Sequence, residues 1–128
     1  MENRETLSGL YKLQLSERRQ KLAEFGEEKG IELLQESELK VSNLLWCGGF
    51  TGSDGRSFRD ALEDAREAVD LAGKLKADSI IVYTGARGGH THNHARRLLR
   101  DALKELAPQA RENGVVPAIE AMHPAAAG

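Results

Sequence analysis

The stretch SIIVY, Ser79–Tyr83, is short and rich in strand formers, and it does not alternate with polar residues. A strand that reads this way is covered on both faces, the mark of a parallel sheet in an α/β protein. Its flanks agree. Upstream, Phe58, Ala61, Leu62, Ala65, Val69, Ala72 and Leu75 recur at three- and four-residue steps. Arg59, Asp60, Glu63, Asp64, Arg66, Glu67 and Asp70 fall between them, so one helix face is apolar and the other charged. Ser57 is the expected N-cap, with Asp60 three residues on as a variant capping box. Downstream, Leu98, Leu99, Ala102, Leu103, Leu106 and Ala110 predict another amphipathic helix ending near Gly114, with Pro108 expected to kink it.

Two more strands extend the pattern. Lys40–Trp46, KVSNLLW, is apolar enough for a strand, and the glycine-rich CGGFTGSDGRS after it reads as a loop. Val115–Glu120, VVPAIE, is the third strand; Pro117 within it suits an edge better than a centre. Ser16 is expected to cap a helix from Glu17 that carries Leu22 and Phe25, and a short helix is expected from Ile31 to Glu36. Helix and strand therefore alternate three times, which implies a parallel sheet with right-handed crossovers. The expected organisation is a polar N-terminal segment over 1–15, one α/β domain over 16–124 and a tail over 125–128.

Bulk properties exclude several classes. With 128 residues, 40% hydrophobic and 30% charged, the chain reads as one soluble domain with a modest core. A formal net charge of −2 recommends neither nucleic acid nor an anionic membrane as partner. No apolar run is long enough to span a bilayer, and the polar start MENRETLSG lacks the apolar stretch of a secretory signal. The single cysteine, Cys47, fits a reducing compartment, so a cytoplasmic location is expected and Cys47 is read as a packing residue.

In α/β folds ligands bind at the carboxyl ends of the strands, here Trp46–Phe50, Tyr83–His94 and Glu120–Pro124. The opposite connections, KLKADS and QARENGVV, carry little chemistry. GARGGH, Gly85–His90, is not a dinucleotide-binding glycine pattern, and no phosphate-loop lysine is present. His90, His92 and His94 would share a face on an extended segment, as a metal-binding H-x-H pair does. Thr91 or Asn93, however, is a natural N-cap for the helix that follows, and capping would turn His94 away.

The ordered segments LKVSNLLW…GGF, ALEDAREAVDLAGKLKADSIIVYTG, ARRLLRDALKELAPQARENGV and AIEAMHP resemble the sugar phosphate isomerase/epimerase family. That family has the xylose isomerase-like TIM barrel, shared with AP endonuclease family 2. The resemblance runs from about Leu22 to Pro124 and implies a partial (β/α)8 barrel with about three parallel strands alternating with helices. It implies that Glu120, ending the I-E strand, is a ligand to a divalent metal (Mn, Mg, Co or Zn). It also implies a sugar or sugar phosphate as substrate. His90, His123 and Arg87 are the expected polar contacts, and Trp46 and Phe50 the apolar wall. The implied reaction is isomerisation or epimerisation by proton transfer next to a carbonyl.

A whole barrel of this kind needs about 250 residues, and the family's further metal ligands, from later strands, have no counterpart in these 128. The metal site is thus expected to be incomplete and the acid/base residue unnamed. Two other readings stay open: a metal-dependent hydrolase on the same fold, and a partial barrel that acts as a binding module or self-associates through open sheet edges.

Overall fold

The computed structural model describes residues 26–121. The chain divides into two compact units between Leu39 and Lys40. In the first unit the described part is helix α1, Glu28–Glu36, none of whose residues is buried. The expected helix from Glu17 lies outside the described residues.

The second unit is a three-stranded parallel sheet with two crossover helices. Its elements are β1 (Asn43–Gly48), α2 (Phe58–Lys74), β2 (Ser79–Tyr83), α3 (His92–Glu112) and β3 (Val116–Ile119), with sheet order β1-β2-β3. The expected partial barrel is this alternation of three parallel strands with helices. Both crossover helices start on hydroxyl caps. Ser57 Oγ accepts the Asp60 N–H at 3.1 Å, and Thr91 Oγ1 accepts the His94 N–H at 3.2 Å. Pro108 lies inside α3, which continues unbroken to Glu112.

The core lies between the sheet and the two helices. Ile80 and Val82 of β2 are fully buried, as are Ala61, Ala65 and Ala72 of α2 and Ala102 and Leu106 of α3. Alanines on the inner face of α2 let the helix approach the strands closely, and the larger Val69, Leu106 and Phe50 fill the remaining space. Polar links join the outer sides of the helices. Arg66 meets Glu105 at 3.0 Å, and Asp70 accepts from Gln109 at 2.7 Å and from Asn113 at 3.3 Å.

Two local features set the geometry of the sheet. In β1, Leu44 pairs with Ile80 and Cys47 with Val82, so two residues of β1 oppose one of β2. This bulge turns both Leu45 and Trp46 away from the helices, where they are 67% and 55% exposed. In β3, the Val116 and Glu120 N–H groups donate to Asp78 and Val82 of the β2 side. Alternation then points the position of Pro117's missing N–H toward the free edge, which is why a proline is accepted there.

Candidate functional site

The carboxyl ends of all three strands meet on one rim. Val82 is buried under the helices and pairs with Ile119, so the next residues, Tyr83 and Glu120, fall on the opposite, helix-free face. Glu120 is fixed one step past β3 by its N–H bond to the Val82 carbonyl, 2.9 Å. Trp46 lies on the same face and meets Tyr83 edge-on, with ring centroids 4.6 Å apart and an interplanar angle of 75°. The rim thus presents an aromatic pair beside an exposed carboxylate.

The loop after β1 is held by its own polar network. Gly48 and Gly49 take φ of 144° and 75°, and the Gly49 N–H donates to the Tyr83 carbonyl at 3.2 Å. A Cβ on Gly48 would collide with that same carbonyl, so only glycine allows the approach. Arg56 reaches back to donate to the Gly48 carbonyl at 2.9 Å and pairs with Asp54 at 2.8 Å and Asp64 at 3.1 Å. Desolvation acts to raise the Asp54 carboxyl, but the Arg56 backbone N–H and guanidinium outweigh it and hold Asp54 below the usual carboxylate range. Cys47, buried beside this network, is pushed up to about 11 by desolvation, with Arg56 opposing. Its thiol stays protonated at neutral pH and is no nucleophile.

Of the residues expected from the sequence, Trp46 and Glu120 share the helix-free face, at the ends of β1 and β3 with Tyr83 between them. Phe50 does not join them. After Gly48 and Gly49 the loop folds back, leaving Phe50 1% exposed in the core with its ring 6.1 Å from Phe58. It is a packing residue, not an apolar wall of the site. His90 Nε2 lies 2.8 Å from the Thr51 carbonyl, and the Thr51 hydroxyl donates to the Ala86 carbonyl at 2.6 Å. His90 therefore ties the loop after β2 to the loop after β1. Arg87 borders an open groove of about 350 Å³ between the start of α3 and the end of β3, with Thr84, His92, Arg96, Leu99, Ile119 and Glu120 around it. His123 lies outside the described residues.

The histidine triplet does not form one metal site. His92 and His94 belong to the first turn of α3, the His90 and His94 rings are 4.8 Å apart, and His90 is engaged with Thr51. Among the described residues no three His, Cys, Asp or Glu side chains are placed to hold a metal ion. Glu120 alone does not fit a divalent metal that needs several protein ligands.

Tyr83 and Arg56 are rim residues that the sequence did not single out. Tyr83 was legible only as the last residue of a strand, although a strand end facing the rim is where an aromatic ring has consequences. Arg56 sits in a D-G-R turn whose short D-x-R spacing is a usable, weak signal.

The sequence matches the family model described as xylose isomerase-like TIM barrel over residues 5–127, and the chain belongs to that family. It is also similar to a solved structure, protein SMc04130 from Sinorhizobium meliloti 1021, at 32% sequence identity and a TM-score of 0.71. That match covers 84% of this chain and 40% of the other, so the chain spans well under half the length of this relative. No curated protein matches the sequence.

Proposed function

We propose that this chain forms the sugar-facing wall of a sugar or sugar-phosphate isomerase or epimerase, with the barrel segment taken as 16–124 and a cytoplasmic location. The observation that carries the reading is the Trp46–Tyr83 pair beside Glu120 on the helix-free face of the strand ends. Aromatic faces and edges suit the C–H surface of a sugar ring, and a neighbouring carboxylate suits its hydroxyls. Glu120 on a fixed strand end would accept from a hydroxyl next to the carbonyl and hold it in register. The family resemblance supports reading Glu120 as one of several ligands of a divalent metal. Among the described residues Glu120 belongs to no group of three or more His, Cys, Asp or Glu side chains able to hold such an ion.

A second reading rests on a different observation. Leu45, Val116 and Ile119 are exposed on an open three-stranded sheet, which favours association with another polypeptide, including a second copy. It concerns assembly rather than chemistry and is compatible with the first.

The test of the catalytic reading is proton exchange followed by ¹H NMR in D2O, with aldoses, ketoses and their phosphates, on the protein in the form its cell produces. The expected result is protein-dependent loss of the proton on the carbon next to the carbonyl, abolished by Glu120→Gln. Exchange that survives Glu120→Gln, or products of hydrolysis in place of exchange, would contradict it.

A further inference from the structure

We infer that His90 and His94 form a two-imidazole site for a divalent transition ion of the Cu²⁺ or Ni²⁺ kind. The inference does not rest on the sugar reading and does not involve Glu120. The two rings are set as a pair, with centroids 4.8 Å apart and planes inclined by 40°. Two imidazole nitrogens about 2.0–2.1 Å from a common ion, in neighbouring coordination positions, put their ring centres roughly 5 Å apart. Ring stacking alone gives a similar spacing, so a second observation decides. His90 Nε2 lies 2.8 Å from the Thr51 carbonyl, and a carbonyl only accepts, so Nε2 carries the hydrogen. In the neutral ring the lone pair is then on Nδ1. Metal-binding histidines are oriented in this way, one ring nitrogen donating to a carbonyl or carboxylate and the other left basic. Thr51 is buried and tied to the Ala86 carbonyl, which holds the orienting acceptor in place. His94 is placed by the Thr91 cap, which accepts its backbone N–H at 3.2 Å. Among the described residues no hydrogen bond or ion pair holds the His94 ring. The donor set selects the ion. Two nitrogens, beside a first helical turn without an acidic residue, favour Cu²⁺ and Ni²⁺ over Mg²⁺ or Ca²⁺. Two protein ligands fall short of a closed structural site, so the ion is exchangeable and water completes its coordination. When bound, it clips the loop after β2 to the start of α3.

The experiment is titration of the untagged full chain with Cu²⁺, read by calorimetry and by pulsed EPR. One equivalent is expected to bind, with two imidazole nitrogens on the ion. His94→Ala, a change at an exposed side chain, is expected to weaken binding by more than the roughly tenfold that losing an outer partner of a ligand costs. Any ion still held should then carry one imidazole. His92→Ala is the control. His92 shares the first turn of α3 with His94 but borders the groove beside β3, so its loss should leave both the affinity and the two-nitrogen signal unchanged. No Cu²⁺ binding by the wild-type chain, a single imidazole on the bound ion, or an affinity unmoved by His94→Ala would overturn the site. Equal weakening by His92→Ala would overturn the assignment to the His90–His94 pair.

Discussion

Thr51 shows how much one hydroxyl can hold at this rim. It is 6% exposed, donates to the Ala86 carbonyl at 2.6 Å, and offers its own carbonyl to His90. Thr51→Val preserves shape but leaves the Ala86 carbonyl without that partner. Urea unfolding is expected to report a loss of roughly 1–3 kcal/mol, with Thr51→Ser much milder. A loss indistinguishable from zero would mean that the two loops are not coupled through this hydroxyl. Cys47 gives a second test at the same scale. Burial and a thiol raised to about 11 predict that a thiol reagent at neutral pH leaves native protein unlabelled and labels it only after denaturation. Rapid native labelling would show that the loop network around Arg56 opens readily.

Among the elements, the close approach of β1 to β2 depends on backbone shape more than on side chains. Gly48 sits at φ 144°, where a side chain would run into the Tyr83 carbonyl. Gly48→Ala is expected to destabilise the fold by roughly 2–4 kcal/mol, combining backbone strain with overpacking. The reading should be made by urea unfolding, and a near-neutral result would mean that the strand ends separate without penalty. The elements themselves were largely legible in the sequence. The three- and four-residue spacing of Ala61, Leu62, Ala65 and Val69 gives a helix and the unbroken SIIVY a parallel strand, although the described elements cover only one of its faces. Ser57 was the expected cap of α2, while for α3 Thr91 and Asn93 were both open and Thr91 is the one used. What was not legible is what loops bring together. Phe50 is apolar in either of two environments, and only the turn at Gly48 and Gly49 decides that it packs inward. The bulge that sends both Leu45 and Trp46 to one face breaks strand alternation, so NLLWCG could not reveal which residues face the rim. The His90 bond to Thr51 spans 39 residues and has no local signature.

For the whole molecule, the decisive fact is that only one face of the sheet is covered by the described elements of its own unit. Helices α2 and α3 bury Ile80 and Val82, while Leu45 and Trp46 stand exposed on the other face. In a closed (β/α)8 barrel that other face is the packed interior, and its carboxyl end is the place for a site. The aromatic pair and Glu120 lie there. On the proposed reading this face would be one wall of a site, and among the described residues it carries no set of three metal-binding side chains. It also supplies a built-in reporter, because Trp46 is the chain's single tryptophan. The most direct test of the central claim is therefore tryptophan fluorescence during titration with aldoses, ketoses and their phosphates across the millimolar range. The expected result is a saturable change that is lost or sharply reduced in Tyr83→Ala, with unrelated polyols giving none. Fluorescence that stays flat for every sugar and sugar phosphate, in a chain shown to be folded, would contradict it.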